Sequence, residues 1–306
     1  MKRRLAYFAR QAALETRDLS VALIAVCVYG LTLLVPRRAL IEGIARLAEI
    51  IGMWAPKYRK RGLYNLAVAF PEKTEAERVD ILRRAWGNLA RTATEYFFID
   101  QIWDFDPNSP GTGHIEVVGL ENFVKLMEDG KPGIIVSAHL ANWELPMIAA
   151  ARHGLDAVAL YMQPRNRWLA RMVLDRRAGN MGGLVPAETG ALHRLARALD
   201  EGRHVGLLVD QFRDHGPQIL FFGHPTLANP VFAQLARHFD CPVHAARVVR
   251  LPEGRFRVEL TDEIALPRDA SGAIDIAGAA QTIAALVESW IREYPDQWLW
   301  LHRRFR

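Results

Sequence analysis

The chain has 306 residues, of which 50% are hydrophobic and 24% are charged. This is long enough for one large α/β domain with a substantial core and a small additional segment, and the hydrophobic content excludes a disordered protein. The net charge of +5 indicates an anionic partner, either a bilayer surface or a phosphorylated substrate. Nucleic acid is not expected, because the sequence has no zinc-finger spacing, RNA-binding aromatic motif or isolated basic helix.

An uncharged apolar run covers residues 19–35 and is flanked by Arg17 on one side and by Arg37 and Arg38 on the other. A helix of this length would measure about 26 Å, slightly less than the thickness of a hydrocarbon core. We therefore predict a retained N-terminal membrane anchor that spans the bilayer thinly or lies embedded in it. A cleaved signal peptide fits less well, because no small residues suited to cleavage follow the run. A buried helix of a soluble protein is the other alternative.

Residues 40–54 are apolar with interspersed charges, and a basic cluster follows them: Lys57, Arg59, Lys60 and Arg61. Such a cluster beside an apolar segment suits anionic headgroups, although a solvated turn has the same composition. The sequence therefore predicts two parts, an N-terminal membrane anchor with interfacial helices in residues 1–56 and an α/β domain in residues 57–306.

The two cysteines, Cys27 and Cys241, are too few for a disulfide framework or a cysteine-based metal site. Both are predicted to be small buried hydrophobic side chains. The working part of the protein is accordingly expected to face a reducing cytoplasm.

Thr74 and Glu77 form a capping-box pattern, and the apolar spacing after them predicts a long amphipathic helix that ends near Phe98. Residues 104–113 are rich in Asp, Pro and Gly, which predicts a loop.

Short β-prone runs then alternate with helical stretches, and the last two runs are close enough to form a hairpin across residues 252–254. The predicted strands are residues 115–118, 134–137, 157–161, 205–209, 243–249 and 256–260. This pattern predicts an α/β fold with a mixed central sheet flanked by helices.

His139 lies where the predicted strand changes into a helix that begins near Asn142, and Glu144 lies in the first helical turns. Ligands of α/β sheets bind beyond the carboxyl ends of the strands. An imidazole can take the proton of an attacking hydroxyl and contribute about 10²- to 10⁴-fold in rate, and a carboxylate can hold its tautomer. We therefore predict that His139 is a general base and that Glu144 orients it. On spacing alone, a structural histidine is the alternative.

The pair resembles the H-x4-D/E box of the lysophospholipid acyltransferase superfamily, and the string SAHLANWE in residues 137–144 resembles the lipid A late acyltransferase family, the lauroyl and myristoyl transferases. The similarity extends from the anchor to the end of the chain. Further similar segments are Asn65-Leu66 with Phe70-Pro71-Glu72, Gly119 to Asn122, Tyr161 with Asn166 and Arg177, Gly202 with Asp210-Gln211, and residues 295–305.

The resemblance implies an O-acyltransferase that moves a fatty acyl chain from acyl carrier protein to a hydroxyl of a lipid A precursor, without a metal, another cofactor or a covalent enzyme intermediate. It implies substrate-binding roles for Asn142, Arg177, Asp210 and Gln211. Asn142 is expected to position the thioester carbonyl, and Arg177 to hold a phosphate or to brace Glu144.

The expected partners are acyl carrier protein, a lipid A precursor and the bilayer, and the expected location is the bacterial inner membrane with the active site facing the cytoplasm. Arg176 is the alternative to Arg177. Other membrane glycolipids or phospholipids, such as mannosylated phosphatidylinositol or a lysophospholipid, remain alternative acceptors, and a non-catalytic lipid-binding protein is a third alternative. The tail residues are expected to pack or to contact the membrane surface: Trp298, Trp300, His302, Arg303, Arg304 and Arg306.

Overall fold

The computed structural model describes residues 2–164 and 166–305, and side-chain surroundings from residue 14 onward except at 165, 167–169 and 306. The α-helices of this part are α1 (Lys2–Leu31), α2 (Arg37–Ile51), α3 (Pro56–Ala69), α4 (Glu75–Glu95), α5 (Leu120–Glu128), α6 (Leu145–Arg152), α7 (Arg167–Ala178), α8 (Ala191–Asp200), α9 (Val231–Phe239) and α10 (Ile276–Glu293). The strands are β1 (Ile115–Val118), β2 (Ile134–Ser137), β3 (Ala157–Tyr161), β4 (Gly183–Pro186), β5 (His204–Leu208), β6 (Gln218–Phe221), β7 (His224–Leu227), β8 (Val243–Arg250) and β9 (Phe256–Leu260).

Seven strands form one mixed sheet in the order β1-β9-β8-β2-β5-β3-β4. Only the β8–β9 hairpin is antiparallel, and the other neighbouring strands of this sheet are parallel. β2 lies at the centre of the sheet, where Ile134 and Val136 are buried. The predicted mixed α/β fold is therefore confirmed. β4 and the small hairpin formed by β6 and β7 were not predicted.

The predicted capping box begins α4. The Thr74 hydroxyl accepts the Glu77 backbone N–H at 3.3 Å, and the Glu77 carboxylate accepts the Thr74 backbone N–H at 2.7 Å. α4 then continues into a 3-10 turn at Tyr96–Phe98, close to the predicted end of the helix, and residues 104–113 are a loop, as predicted. Glu95 ends the helix and Tyr96 begins the 3-10 turn, and both take part in the hydrogen bonds around the candidate site.

The predicted membrane-spanning helix is not supported by the structure. α1 ends at Leu31 and α2 begins at Arg37, so only residues 19–31 of the apolar run are helical. At 1.5 Å per residue this part measures about 20 Å, against a hydrocarbon core of about 30 Å. Within the described residues, no helix combines the length and the apolar character that crossing a bilayer requires.

The second half of α1 nevertheless exposes apolar side chains, among them Leu23 at 56%, Ile24 at 63% and Val26 at 66% exposure. Cys27 lies exposed on the same helix, whereas Cys241 is buried. The prediction that both cysteines are buried is therefore wrong for Cys27.

The C-terminal segment is buried although it contains little regular structure. Trp298 and Trp300 are inaccessible, and the guanidinium of Arg304 lies 4.3 Å above the ring of Phe221. The expectation that Arg304 contacts headgroups is therefore wrong, because the residue is only 2% exposed. Arg306 lies outside the described residues.

Candidate active site

The turn between β2 and α6 carries His139 and has an uncommon backbone conformation. Ala141 has φ of 47°, a left-handed conformation that costs energy for a residue with a Cβ. Its backbone N–H donates to the Gln297 carbonyl at 2.9 Å, and its carbonyl accepts the Thr92 hydroxyl at 2.9 Å. Two other parts of the chain therefore hold this turn in place.

Asp210, which follows β5, holds the His139 side chain. The distance between His139 Nδ1 and Asp210 Oδ1 is 2.7 Å, and the His139 backbone N–H donates to Asp210 Oδ2 at 2.9 Å. β5 pairs in parallel with β2, with Leu208 opposite Ser137, so the two residues leave the sheet at the same edge.

Burial raises the pKa of Asp210, but the positive charge and the hydrogen bonds of His139 lower it more, and the pKa lies well below its ordinary value. An ionised carboxylate can only accept, so the hydrogen-bond network assigns the His139 proton to Nδ1. Nε2 is then the basic nitrogen, and the Gln211 amide nitrogen lies 3.3 Å from it.

The expectation that Glu144 orients the imidazole is corrected by this geometry, because Asp210 occupies that position. Glu144 is the N-cap residue of α6, and its Oε1 accepts the Arg177 Nη2–H at 2.5 Å and the Tyr96 hydroxyl. Glu144 and His139 still line the same cavity, so the predicted residues do share one site.

Tyr96 links Glu144 to Arg177 and was not found by sequence reasoning. Arg177 donates to the Tyr96 hydroxyl through Nε at 3.1 Å and Nη2 at 2.7 Å. Burial, and then the charge of Glu144, raise the pKa of Tyr96 well above its ordinary value, so Tyr96 stays a neutral donor. Arg176 instead donates to Asp100 at 3.2 Å, and the choice of Arg177 as the functional arginine stays a prediction.

Asn142 does not lie in the cavity wall, contrary to the expectation of a substrate contact. Its amide nitrogen donates to Glu95 Oε2 at 2.9 Å, and its amide oxygen accepts the Glu144 backbone N–H at 3.3 Å. Glu95 is in turn paired with Arg250 at 2.5 Å. Asn142 therefore fixes the start of α6, and Asp210, also expected to bind substrate, is fully buried behind His139.

A cavity of about 510 Å³ extends from His139 and Gln211 into the protein, and most of its lining is apolar. At its other end, the Trp103 indole donates to His153 Nε2 at 2.9 Å. Glu144 and His153 cap the two ends of α6, so the cavity follows this helix for about 13 Å. Its apolar lining between the ends includes Ile135, Met147, Ala150, Leu155, Ala157 and Val258.

The imidazole of His139 is thus held by a buried carboxylate and lines a long, mostly apolar cavity, which has the lining expected for a fatty chain. Residues 10–306 match the family model described as bacterial lipid A biosynthesis acyltransferase, and the chain belongs to this family. The predicted family, and with it the predicted acyltransferase class, is confirmed.

Curated relatives are similar to this chain at low identity over most of its length. It is 23% identical over 265 residues to Lipid A biosynthesis acyltransferase 2 of Shigella flexneri, covering 84% of this chain and 81% of the relative. It is 24% identical over 262 residues to Lipid A biosynthesis myristoyltransferase of Escherichia coli strain K12, with coverage of 84% and 78%. It is 25% identical over 281 residues to the palmitoleoyltransferase of the same strain, with coverage of 85% and 84%.

Proposed function

We propose that the protein transfers a fatty acyl chain from the thioester of acyl carrier protein to a hydroxyl of a lipid A precursor. The observation that carries this proposal is the imidazole of His139, bound to Asp210 and lining a long apolar cavity. The family supports acyl transfer, and the names of the relatives support lipid A as the acceptor.

In this mechanism, His139 Nε2 takes the proton of the acceptor hydroxyl while the hydroxyl oxygen attacks the thioester carbon. Asp210 stabilises the imidazolium that forms, since its Oδ1 already accepts the Nδ1–H. When the tetrahedral intermediate collapses, the C–S bond breaks and the imidazolium returns the proton to the departing sulfur. The ester bond forms directly, so no covalent enzyme intermediate and no cofactor are needed.

Glu144 has a different role in the proposal from that expected from the sequence, whereas Arg177 keeps one of its two expected roles. Nε and Nη2 of Arg177 bind Tyr96 and Glu144, which fix the guanidinium beside the cavity. We assign Arg177 to an anionic group of the substrate, a phosphate or the developing oxyanion, because a guanidinium binds such groups strongly. Gln211 lies at Nε2, where the acceptor hydroxyl must arrive, and is assigned to acceptor binding.

The protein is proposed to bind the cytoplasmic face of the bacterial inner membrane by lying in its surface. The observation behind this is the set of exposed apolar side chains on α1, on α2 and on the 3-10 turn that follows α2, which includes Leu23, Ile24, Leu47, Ile50 and Trp54. Exposed Lys57, Arg59 and Lys60 follow directly on α3. Apolar side chains beside basic residues are typical of helices that embed in anionic interfaces.

The test is an assay of the purified protein with acyl-loaded acyl carrier protein and, in separate reactions, one of three lipids or no lipid. The lipids are a lipid A precursor, a lysophospholipid and mannosylated phosphatidylinositol. Mass spectrometry is expected to detect one added ester-linked acyl chain on the lipid A precursor. Acylation of another lipid alone would replace the acceptor assignment. Binding without acylation of any lipid would favour the non-catalytic alternative.

A further inference from the structure

The last residues of the chain pair with the turn that carries His139. Leu140 and Trp298 form an isolated antiparallel bridge. The Leu299 backbone N–H donates to the His139 carbonyl at 3.2 Å, and the Ala141 backbone N–H donates to the Gln297 carbonyl at 2.9 Å. The C-terminal segment therefore acts as a short strand against the catalytic turn.

This segment is fixed from its other side by buried polar side chains. The Asn65 amide nitrogen donates to the carbonyls of Trp300 at 2.8 Å and His302 at 2.9 Å. Further on, the Thr226 hydroxyl donates to the Arg304 carbonyl at 3.0 Å. These hydrogen bonds hold a segment with little regular structure in one position.

The indole of Trp298 reaches the buried carboxylate behind the imidazole. Its Nε1–H donates to Asp210 Oδ2 at 2.8 Å, and the same oxygen accepts the His139 backbone N–H. Trp298 thus supplies one of the donors that the two Asp210 oxygens receive, beside the backbone and the ring of His139. A carboxylate taken out of water depends strongly on such donors, because water cannot replace one that is lost.

We propose that Trp298 is a positioning residue for acyl transfer: its indole N–H fixes Asp210 in the rotation that directs Oδ1 to His139, and the C-terminal segment thereby completes the active site. This inference rests on the proposed function. Trp298 itself touches neither substrate nor the reacting atoms and acts through Asp210.

The ring of His302, on the same C-terminal segment, lies close to both Trp298 and His139. It lies 5.1 Å from the Trp298 ring and 6.3 Å from the His139 ring. Burial lowers the pKa of His302 to about 4, so the ring is neutral near pH 7 and adds no positive charge beside the imidazolium that forms in the reaction. His302 therefore does not oppose the protonation of His139. The charged group of the segment that interacts with Asp210 is the buried guanidinium of Arg304.

The test compares W298F with W300F. Trp300 is a matched control, because it is equally buried, lies 4.6 Å from Trp298 and donates its indole N–H to the Pro295 carbonyl rather than to Asp210. W298F is expected to lower kcat about tenfold or more with KM changed less than about twofold, whereas W300F keeps kcat within about twofold. Equal losses of kcat in the two variants would overturn the proposal.

The pH profile separates positioning from packing. Loss of the Trp298 donor leaves the Asp210 carboxylate with one hydrogen bond fewer, so it holds the proton shared with His139 more strongly. The acidic limb of the kcat profile, which reports this pair, is therefore expected to move to higher pH in W298F and to stay in place in W300F. If W298F does not fold, 3-benzothienylalanine at position 298 keeps the bicyclic shape and replaces the N–H by sulfur. An unmoved acidic limb in the folded variant would overturn the proposal.

A third readout needs no enzymatic activity and so separates this inference from the proposed function. The downfield proton NMR signal of His139 Nδ1–H, assigned by its loss in H139A, reports the hydrogen bond to Asp210. It is expected to shift or broaden in W298F and to be unchanged in W300F. An unchanged signal in W298F would contradict the positioning role, while absence of acyl transfer by the wild-type protein would contradict only the proposed function.

Discussion

At the scale of single residues, the two carboxylates nearest the proposed chemistry have different partners. Asp210 binds the imidazole of His139, and Glu144 binds Arg177 and Tyr96. Both carboxylates are buried, so the effects of substituting them are expected to differ because their hydrogen-bond partners differ. Substitutions that preserve shape can therefore separate the base from the group proposed to hold the substrate.

D210N is expected to lower kcat by about 10³-fold or more, because an amide in this place no longer stabilises the imidazolium and can favour the wrong tautomer. KM is expected to change little. The measurement is steady-state kinetics with acyl-loaded carrier protein and lipid A precursor. Retention of kcat within about tenfold would contradict the assignment of Asp210.

E144Q is expected to raise KM more than it lowers kcat, because it disturbs the Arg177 guanidinium and leaves the His139–Asp210 pair intact. It also leaves a buried guanidinium without its anionic partner, which is expected to lower the free energy of unfolding by about 3 kcal/mol. Urea unfolding and the same kinetic assay measure the two effects. If E144Q instead lowered kcat as much as D210N and left KM unchanged, Glu144 would have the role first expected from the sequence, the orientation of His139.

The depressed pKa of Asp210 also predicts how stability depends on pH. The unfolded state takes up the proton as pH falls below about 3.9, while the native state still excludes it, so this contribution to stability is present at higher pH and declines on acidification. In D210N the slope of unfolding free energy against pH below 4 is expected to be smaller by up to about 1.4 kcal/mol per pH unit. Chemical unfolding at several values between about pH 2 and about pH 5 measures this slope. Equal slopes in D210N and the wild-type protein would contradict the assignment of Asp210.

At the scale of elements, α6 connects the polar site to the apolar cavity. Ala150 lines the cavity about 9 Å along the helix from Glu144, whereas the adjacent Ala151 is exposed and outside it. A150F is therefore expected to shift the preferred acyl donor to shorter chains, and A151F to leave the preference unchanged. Competition between carrier proteins loaded with different chain lengths measures this, and identical preferences in both variants would exclude the cavity as the acyl site.

The turn at Ala141 gives a second prediction at this scale. A141G is expected to change the unfolding free energy by less than about 1 kcal/mol, because relief of the left-handed strain and the added flexibility of the unfolded chain oppose each other. A141V is expected to cost about 2 kcal/mol or more, because a β-branched side chain disfavours positive φ. Urea unfolding compares the two, and equal stabilities would show that the strain has no such effect.

The sequence predicted most of this architecture because buried strands and amphipathic helices have recognisable periodicities. It placed His139 at the strand-to-helix turn for the same reason. It did not predict the contact with Asp210, because that contact depends on β5 lying next to β2 although the two residues are 71 positions apart. Glu144 was near in sequence, but the direction of its side chain depends on Tyr96 and Arg177, and no local pattern marks Tyr96.

At the scale of the whole molecule, the membrane anchor was predicted from the composition of the apolar N-terminal run alone. Composition could not show that the helix ends at Leu31. The chain turns there towards Pro36 and α2, and the position of α2 depends on its packing against α4, where Glu42 accepts hydrogen bonds from Arg91. The exposed apolar face remains, and it is the feature on which surface binding to the membrane depends. The predicted division of the chain at residue 56 stays a prediction.

An I24E/V26E double variant is expected to reduce binding to anionic phospholipid vesicles by about tenfold or more, because both side chains are exposed on α1 and would no longer bury apolar area in the lipid. L220E is the matched control, since Leu220 is 55% exposed on β6 and lies outside this face. Vesicle co-sedimentation measures the binding. Equal binding by both variants would exclude this face of α1 as the membrane contact.

The most direct test of the central claim is mass spectrometry of lipid A from cells that lack the gene and carry either the wild-type gene or the H139A variant. The account predicts one additional ester-linked acyl chain on lipid A with the wild-type gene and none with H139A at equal protein level. The same added chain in both strains would contradict His139 as the base, and no added chain in either would contradict acyl transfer to lipid A.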